Sequence, residues 1–473
     1  MSRGHVAGRP MSRTRRGRRR LVAGTVMAGL AGAGLAAVPG GAADAATFMV
    51  CARGCPYTQI QPAVDAAPAG GAVLVGPGRF VGGIVIAKAL TLSGAGAGAT
   101  VIAGGGPVLS VSGSPVIIRR VTVTSGNASA DGGGILSTGT LTVEDSTILH
   151  NAAGGDGGGI ASEGPATLPA PPASLTLRRV SVTGNASSAD GGGIASYDGS
   201  ARITGSTISR NAAEFEGGGI ASDGGSNEKL KLISDTVTAN SAGDSGGGIE
   251  ATRDATATLS GTTVDGNTAA SCGGGVAVFG ARLVMINGQV NHNKTQDCGG
   301  GIEIGGFRYG PAAAARITGT SINGNAAGTG GGVDIGSRST VTMTDDAVSA
   351  NTAASAGGGI NFYSHLTVND TSVTRNTSGG DGGGISNVGG VAVLTNDSVD
   401  ANTAAGNGGG LFNGFLLIRR HRLAGKMSLD PATSVSRNDA AAGGGIDLAA
   451  GSVTVDGATV TGNIPDNCQP TRC

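Results

Sequence analysis

Short stretches in which apolar and polar residues alternate recur along the chain, and glycine-rich segments separate them. In Leu141-Thr142-Val143 and Thr147-Ile148, for example, apolar residues alternate with β-branched polar ones. Alternation with a period of two buries one side of the backbone and exposes the other, which is typical of a β-strand. The pattern therefore predicts many short strands joined by glycine-containing turns.

The alternating stretches belong to a repeat whose most constant feature is three consecutive glycines followed by Ile, Val or Leu. Twelve such triplets begin at Gly132, Gly157, Gly191, Gly217, Gly246, Gly273, Gly299, Gly330, Gly357, Gly382, Gly408 and Gly443. An Asn stands five or six residues before each triplet, and one more follows the last: Asn127, Asn151, Asn185, Asn211, Asn240, Asn267, Asn293, Asn325, Asn351, Asn376, Asn402, Asn438 and Asn463. Most triplets are 25–27 residues apart, and self-similarity at such a period indicates a solenoid.

About 26 residues accommodate three short strands and three turns, which form one coil of a parallel β-helix with coils stacked about 4.8 Å apart. A leucine-rich repeat has a similar period, but the leucine framework of such repeats is missing here. The sequence thus predicts an all-β solenoid of about 12–14 coils. We expect the Asn row to form a structural ladder at a turn, and residues 57–67 to form a short helix that caps the first coil.

The composition narrows the class of protein. Glycine supplies 91 of the 473 residues, which excludes an ordinary helical protein because each glycine in a helix costs about 0.8–1 kcal/mol relative to alanine. Apolar residues make up 39% of the chain, which argues against disorder. The glycines lack a strict three-residue period, so collagen is excluded as well.

The N-terminus is predicted to direct export. Six arginines between positions 13 and 20 precede an apolar stretch at 21–38 and the small residues Ala43-Asp44-Ala45. This arrangement is typical of a secretory signal peptide, with cleavage expected after Ala45. The alternative is a membrane anchor, which the glycines within the apolar stretch disfavour.

The chain has a formal net charge of zero, but the part beyond residue 45 is acidic. Residues 1–45 contain eight arginines and one acid, so the rest of the chain has 24 basic and 31 acidic residues, a net charge of −7. An acidic body argues against nucleic acid as a partner.

Six cysteines behind an export signal indicate disulfides. We expect the pairs Cys51–Cys55 and Cys468–Cys473 as local loops, and Cys272–Cys298 between adjacent coils because each of these two precedes a triplet. Zinc binding is the alternative, but the sequence has no cysteine or histidine cluster with ligand spacing. The predicted organisation is a signal peptide at 1–45, a disulfide-containing leader at 46–55, a β-helix at 56–467 and a disulfide-closed tail at 468–473.

Two features of the chain resemble known families. Residues 57–67 and 73–80 read Tyr-Thr-x-Ile-Gln-x-Ala-Val-Asp-Ala-Ala and Val-Leu-Val-x-Pro-Gly-x-Phe, which resembles the opening of pectate-lyase-like right-handed β-helix proteins. The Gly-Gly-Gly-Ile and Asn repeat is similar to that of polymorphic outer membrane proteins. Together the resemblances cover residues 56–467 and imply a right-handed parallel β-helix. Those outer membrane proteins continue into an autotransporter barrel, whereas this chain stops at Cys473, so a secreted product is expected.

If the resemblance extended to activity, the reaction would be polysaccharide cleavage. Of the motifs that polygalacturonase-type enzymes need, only Asp345-Asp346 occurs. The catalytic candidates are Glu303 and Asp334, which occupy the same outward position on adjacent coils about 5 Å apart, with Arg308 in the long coil beside them. Two such carboxylates could bind a cation or act as an acid and a nucleophile; the alternative is a solvated acidic face.

A second acidic row stands directly before the first triplets, at Asp131, Asp156, Asp190 and Glu216. Like charges at coil spacing repel unless a cation such as Ca²⁺ bridges them or the side chains splay into solvent. The sequence favours splayed side chains. No cofactor is therefore expected, and calcium is the one ion this row could hold.

The irregular segment 415–430 contains the binding candidates Arg419, Arg420 and Arg422. Contact with an anionic surface polymer is one interpretation of these arginines, and a degenerate coil is the other. The sequence favours a secreted, extracellular, non-catalytic and monomeric β-helix scaffold that binds a polysaccharide or a cell-surface component. The alternative is a carbohydrate-active enzyme of pectate-lyase-like type, either a polysaccharide lyase or a glycoside hydrolase. Neither a nucleic-acid partner nor a membrane span after signal cleavage is expected.

Overall fold

The computed structural model describes residues 48–164, 172–224, 228–306, 310–418 and 421–470, all within one compact unit. The predicted signal peptide, Arg308, Arg419, Arg420 and Cys473 lie outside the described residues. In the described part of the chain, no helix is both long enough and apolar enough to cross a membrane.

Three long sheets contain nearly all of the strands. Sheet 1 consists of Phe48–Val50, Gly71–Val75, Leu90–Gly94, Val116–Arg119, Thr140–Glu144, Ala173–Arg178, Gly199–Thr204, Lys229–Ile233, Thr256–Ser260, Arg282–Ile286, Ala313–Thr318, Ser339–Thr344, His365–Asn369, Val391–Thr395, Lys426–Leu429 and Ser452–Val455. Sheet 2 consists of Gly78–Val81, Thr100–Ala103, Thr122–Thr124, Thr147–Leu149, Ser181–Thr183, Thr207–Ser209, Thr236–Thr238, Thr263–Asp265, Gln289–Asn291, Ser321–Asn323, Ala347–Ser349, Ser372–Thr374, Ser398–Asp400, Ser434–Ser436 and Thr459–Thr461.

Sheet 3 follows sheet 2 in each coil. It consists of Ile84–Ile86, Leu109–Val111, Ile135–Ser137, Ile160–Glu163, Ile194–Tyr197, Ile220–Asp223, Ile249–Thr252, Val276–Phe279, Ile302–Gly305, Val333–Ile335, Ile360–Phe362, Ile385–Val388, Leu411–Ile418, Ile446–Leu448 and Cys468–Gln469, with His421–Ala424 paired antiparallel to Leu411–Ile418. Two short ladders lie between sheets 2 and 3 along the chain. They consist of Asn127–Ala128, Ala152–Ala153, Ala186–Ser187, Ala212–Ala213, Ser241–Ala242 and Thr268–Ala269, and of Ala326–Thr329, Thr352–Ala356, Thr377–Ser378 and Thr403–Ala404.

Each coil contributes one strand to each long sheet and pairs in parallel with the coils on either side. Thr140–Glu144, for example, lies between Val116–Arg119 and Ala173–Arg178. Sheet 1 has 16 strands, so the all-β parallel solenoid is confirmed, with about 16 turns instead of the predicted 12–14. The prediction missed early coils because their turns, such as Gly104-Gly105-Gly106 before Pro107, depart from the repeat.

The predicted capping helix is confirmed as α1, Ile60–Ala66. Its residues Ile60, Ala63 and Val64 are buried, and the helix contacts the first strands of sheets 1 and 3. It ends at Ala66 because Pro68 disfavours a helical conformation in the residue before it. The helix therefore covers the apolar end of the first coil.

The solenoid extends past both of its predicted limits. Phe48–Val50 already pairs with Gly71–Val75 in sheet 1, so the leader at 46–55 contributes a strand. At the other end, Cys468–Gln469 pairs with Ile446–Leu448. Both flanking segments pair because the edge strand of a sheet presents unsatisfied backbone groups.

The glycine triplets stack backbone against backbone. Gly299 is in the left-handed region with φ +63, and a Cβ added to Gly300 would lie 2.4 Å from the carbonyl oxygen of Gly331 on the next coil. A Cβ added to Gly301 would lie 2.6 Å from the carbonyl oxygen of Gly332. The first position of the triplet thus requires glycine because its φ is positive. The other two require glycine because the backbone of the next coil lies too close for a Cβ atom.

The Asn ladder forms between the coils as predicted. The Nδ2 of Asn293 donates to the Oδ1 of Asn325 at 3.0 Å and to the carbonyl oxygen of Val264 at 2.9 Å, and its backbone N–H also donates to Asn325. The ladder residues are Asn151, Asn185, Asn211, Asn240, Asn267, Asn293, Asn325, Asn351, Asn376, Asn402, Asn438 and Asn463. Each amide therefore satisfies buried backbone groups of the preceding coil and bonds to the amide of the next.

Asn127 does not belong to the ladder, and the prediction for this residue was wrong. It is exposed and pairs with Ala152, so Gly126 stands opposite Asn151 and donates its N–H to the Oδ1 of that residue at 2.9 Å. The left-handed residue at this turn is the one before the ladder position, as at His292 with φ 52, and not the Asn itself.

Two of the predicted disulfides are present in the described residues. Cys51 and Cys55 are joined with a Cα–Cα distance of 5.5 Å, and Cys272 and Cys298 with a distance of 4.6 Å. The second bond links adjacent coils. Cys468 also forms a disulfide, but its predicted partner Cys473 lies outside the described residues.

The coils differ in length mainly at one corner, where the chain passes from sheet 3 to sheet 1. The connection there is a single residue at Asp198 but nine residues at 164–172. Connections between sheets 1 and 2 mostly have two residues. The strands of sheet 1 therefore begin directly after the segments that vary most in length.

Candidate functional site

The glycine triplets cover part of the outer face of sheet 3. The second residue of each strand lies outside the apolar core, yet the preceding triplet folds over it: a Cβ on Gly330 would lie 2.6 Å from the Cβ of Asp334. This row, the covered row, consists of Leu136, Ala161, Ala195, Ala221, Glu250, Ala277, Glu303, Asp334, Asn361, Ser386, Phe412 and Asp447. All of its members except Leu136 and Phe412 are buried.

Glu303 and Asp334 are paired neighbours in sheet 3, as their spacing predicts. Their side chains are only 5% and 2% exposed, so the expectation of a solvated acidic face is wrong for this pair. Asp334 accepts hydrogen bonds from the hydroxyl of Thr329 and from the Nδ2 of Asn361, the latter at 3.1 Å. The predicted third member, Arg308, lies outside the described residues.

Burial dominates the electrostatics of this pair. It raises the pKa of Asp334 to about 6, and it raises the pKa of Glu303 well above its usual range, with a further contribution from the charge of Asp334. Burial also raises the pKa of the nearby Tyr363 to about 12, and Asp334 adds to that shift. The site therefore disfavours two unscreened negative charges.

Two buried acceptors, one within this pair and one on the next coil, have no hydrogen-bond partner. They are the Oε2 of Glu303 and the Oδ1 of Asn361. Asn361 pairs with Asp334 in the sheet and is fully buried. Buried polar atoms normally find a partner because an unsatisfied one costs about 1–3 kcal/mol.

A second carboxyl pair, Glu216 and Glu250, was not predicted as a pair. Their side chains share a hydrogen bond, and burial followed by the charge of Glu216 raises the pKa of Glu250 well above its usual range. Beside them the Nη1 of Arg253 lies 2.8 Å from the Oδ2 of Asp223. This pair could have been predicted from the sequence, because Glu216 directly precedes a triplet and Glu250 belongs to the covered row of the next coil.

The acidic row before the first triplets does not splay into solvent as expected. The Oδ1 of Asp131 accepts the backbone N–H of Asp156 at 2.9 Å, Asp156 accepts that of Asp190 at 3.0 Å, and Asp190 accepts that of Glu216 at 3.1 Å. The carboxylates of Asp131, Asp156 and Asp190 thus bond to the backbone of the next coil, whereas burial raises the pKa of Glu216.

A further ladder, which the sequence analysis missed, occupies the turn between sheets 1 and 2. In this ladder a side-chain oxygen of each coil accepts a hydrogen bond from a backbone N–H group of the preceding coil. The Oδ1 of Asp346, for example, accepts the N–H of Thr320 at 2.7 Å. This turn ladder includes Ser146, Ser206, Asp235, Thr320, Asp346, Thr371, Asp397 and Thr433. Asp346 of the Asp345-Asp346 motif therefore has a structural role.

The turn ladder predicts an unusual dependence of stability on pH. Burial raises the pKa of Asp346 to about 6 and that of Asp397 to about 7, above the ordinary value of about 3.9. The folded protein therefore binds more protons than the unfolded chain across this window, and the free energy of unfolding falls as the pH rises through it. Calorimetry in EDTA should give a higher Tm at pH 5 than at pH 7.5.

A matched variant tests the assignment of this pH dependence. Asp397→Thr copies the residue found at this position on the neighbouring coils, Thr371 and Thr433, and should reduce the slope of Tm against pH. A Tm that decreases steadily from pH 7.5 to pH 5 in the unmodified protein would contradict the prediction.

The outer face of sheet 1 carries a single sign of charge over nine strands, from Gly199–Thr204 to Lys426–Leu429. Its outward residues include six Lys or Arg residues and one His but no Asp or Glu. The cations of this basic face are Arg202, Lys229, Lys231, Arg282, Arg316 and Lys426, with His365 between them. Among the ion pairs between described residues, none involves these six cations.

Register brings these cations together from distant parts of the sequence. Arg202 pairs with Lys231, Thr256 pairs with Arg282, and Val391 pairs with Lys426. At about 4.8 Å for each strand, the basic face extends over about 38 Å.

The predicted binding segment forms a projecting hairpin of Leu411–Ile418 and His421–Ala424. Arg422 is exposed, and its guanidinium carbon lies 4.4 Å from the centroid of the Phe415 ring. Arg419 and Arg420 lie outside the described residues. The hairpin leads directly into Lys426 of the basic face.

We compared this chain with known protein families and structures. Residues 192–378 match a family model described as "Right handed beta helix region". No curated protein matches the chain.

Solved structures similar to this chain include a pectin methylesterase from carrot, with 12% identity, 66% of this chain and 84% of that chain covered, and a TM-score of 0.30. A mannuronan C-5 epimerase A-module from Azotobacter vinelandii has 14% identity, coverages of 87% and 95%, and a TM-score of 0.29. A periplasmic alginate epimerase has 11% identity, coverages of 85% and 83%, and a TM-score of 0.38. At these TM-scores the likenesses carry no argument about the activity of this chain.

The parallel coils and the family-model match agree with each other and with the sequence pattern. The described coils form a parallel β-helix, and residues 192–378 match the model of a right-handed one.

Proposed function

We propose that this protein is a secreted, non-catalytic scaffold that binds an acidic extracellular polysaccharide along its basic face. The observation that carries the proposal is the nine-strand outer face of sheet 1, which has six cations and no acid although the chain beyond residue 45 has a net charge of −7. A local field of one sign on a protein of the opposite net charge attracts and orients a polyanion.

The neighbours of the cations support binding of an extended polymer. Thr256, Thr258, Thr340 and Thr342 lie between them on the same face, so hydroxyl groups alternate with positive charges over about 38 Å. Arginine can bind a carboxylate through two hydrogen bonds, and hydroxyl groups can bond to sugar oxygens. The hairpin with Arg422 stands at the edge of this face, where it would contact the same polymer.

The cysteines support secretion. Each of the described disulfides requires an oxidising compartment to persist; they join Cys51 to Cys55 and Cys272 to Cys298.

We propose a non-catalytic role because the glycine triplets cover the two carboxyl groups that were predicted as catalytic candidates. Glu303 and Asp334 are 5% and 2% exposed, whereas a glycosidase or lyase needs its catalytic groups in contact with the sugar. The glycine triplet above them would have to move before a polymer could touch either carboxyl group.

Binding to polygalacturonate and alginate, with neutral dextran as a comparison, tests this proposal, and calcium is both omitted and added. We expect the chain beyond residue 45 to bind the acidic polymers with an affinity that decreases as salt increases. The triple variant Arg202→Thr, Lys231→Thr and Arg282→Thr places on each strand a residue type that already occurs on this face. It should weaken binding about tenfold, since each exposed charge pair contributes roughly 0.2–1 kcal/mol.

A control variant removes the same charge elsewhere. Arg210→Ala, Arg375→Ala and Arg437→Ala change the left-handed turn position at which other coils already carry alanine, such as Ala239 and Ala350, and should leave binding nearly unchanged. Equal losses in the two triple variants, or shortening of either polymer that Glu303→Gln abolishes, would overturn the proposal.

A further inference from the structure

Three oxygen-bearing side chains of the covered row occupy the same position on three consecutive strands of sheet 3. Glu303 pairs with Asp334, and Asp334 pairs with Asn361. Neighbouring strands are about 4.8 Å apart, so the three residues form one row beneath the triplets. Thr329 adds a hydroxyl group that bonds to Asp334.

These side chains form a built site and not merely an acidic patch. Asn361 is 0% exposed and Glu303 is 5% exposed, and each has one buried oxygen without a partner. The Nδ2 of Asn361 is held by Asp334 at 3.1 Å, which fixes the amide so that its Oδ1 is a separate acceptor. Both unpartnered atoms accept hydrogen bonds, and neither can donate one while Glu303 is ionised.

Nothing in the described surroundings supplies the missing positive charge. Neither Glu303 nor Asp334 takes part in an ion pair between described residues, and buried charges need a partner or a proton. A proton on Glu303 would neutralise one carboxyl group, but it would leave the Oδ1 of Asn361 unsatisfied because an amide oxygen is not protonated in proteins. A shared cation satisfies all three side chains at once.

We infer that Glu303, Asp334 and Asn361 bind a calcium ion that links three consecutive coils. Ca²⁺ prefers oxygen ligands, accepts carboxylates and amide oxygens together, and tolerates irregular geometry, whereas Mg²⁺ demands a near-ideal octahedron. Two carboxylates balance its charge. No group of three or more His, Cys, Asp or Glu with metal-binding geometry occurs among the described residues; the site inferred here has two carboxylates and a neutral amide.

This site differs from the acidic row before the triplets, where the sequence placed a calcium option. There the oxygens of Asp131, Asp156 and Asp190 already accept backbone N–H groups. The inference also stands apart from polysaccharide binding, because the covered row belongs to sheet 3 and the basic face to sheet 1. Its role would be to hold adjacent coils together, as the disulfide Cys272–Cys298 does.

Thermal unfolding and terbium luminescence of the chain beyond residue 45, without polysaccharide, test the inference. Calcium in excess over EDTA should raise the Tm at pH 7.5, because a ligand that binds only the folded state stabilises it. Tb³⁺ should show luminescence sensitised by Tyr363, which is close enough to Asp334 for that charge to shift its pKa. Calcium should displace the Tb³⁺.

Two variants copy residues that the same row carries on other coils, so the fold should tolerate them. Glu303→Ala reproduces Ala277 and Asn361→Ser reproduces Ser386. Each should reduce the apparent affinity for Tb³⁺ at least tenfold and abolish most of the calcium-induced rise in Tm. Tyr363→Phe should lose the luminescence but keep the rise in Tm.

The matched control is Asp447→Asn, which changes a buried acid of the same row whose strand neighbours are Phe412 and Gln469. It should keep both the luminescence and the rise in Tm. An unmodified protein with the same Tm in calcium and in EDTA would overturn the inference. So would a calcium effect of equal size in Glu303→Ala and in the unmodified protein.

Discussion

Replacing Asn293 by Ala should lower the free energy of unfolding by about 3–5 kcal/mol, because it leaves two buried backbone groups of the preceding coil and two ladder amides without partners. The Oδ1 of Asn293 accepts the backbone N–H and the Nδ2 of Asn267 at 2.9 and 3.0 Å. Its own Nδ2 donates to Val264 and Asn325. Alanine removes all four bonds, and the stacked backbone excludes the water that could replace them.

Asn127→Ala is the control for this prediction. Asn127 belongs to the same sequence row but is exposed and lies outside the ladder, so its replacement should change the free energy of unfolding by less than about 0.5 kcal/mol. Urea unfolding followed by circular dichroism measures both variants. Similar losses in the two would show that the ladder does not carry the stability assigned to it.

Replacing Gly300 by Ala should cost upward of about 3 kcal/mol, since overpacking a tight contact usually costs 1–3 kcal/mol and here both obstacles are backbone. The new Cβ would lie 2.4 Å from the carbonyl oxygen of Gly331 and 2.6 Å from that of Ala326. Neither oxygen can move away without separating the two coils. Hydrogen exchange should therefore accelerate in the strands on either side of the substitution.

Gly98→Ala is the corresponding control. A Cβ at Gly98 would meet nothing within 4 Å, and its φ lies outside the left-handed region. This substitution should be neutral or stabilise the protein by about 0.4–1 kcal/mol through the unfolded chain. If Gly300→Ala unfolded at the same urea concentration as Gly98→Ala, close stacking of the triplets would not be what requires glycine.

The adjacency of Glu303 and Asp334 was predictable because each stands four residues after the first glycine of its triplet. Equal spacing from a repeated feature gives equal position in the coil, and parallel register then pairs the two residues. Their burial was not predictable in this way. It depends on how the triplet folds over the strand that follows it, and the alternation of residues along the strand contains no information about that loop.

The exclusion of Asn127 has a signal in the sequence, although the spacing to the triplet does not reveal it. Ladder residues stand three positions after the central residue of the sheet 2 strand, as Asn151 follows Ile148 and Asn293 follows Val290. Asn127 stands four positions after Val123. The turn between the sheet 2 strand and the ladder position has a fixed length. Counting three residues from Val123 would therefore have placed the ladder position of this coil at Gly126.

The sequence by itself determined the parallel β-helix, its coil period and the pairing of Cys272 with Cys298. The coil follows from backbone sterics and hydrogen bonding that every repeat encodes again, and the disulfide follows because both cysteines directly precede a triplet. Only the tertiary structure decided the basic face, the turn ladder and the cover over Glu303, Asp334 and Asn361. The cations of the basic face come from coils between residues 202 and 426, so no local window shows their common sign. Charge and burial depend on which atoms of different coils face each other, and that is settled only when the coils stack.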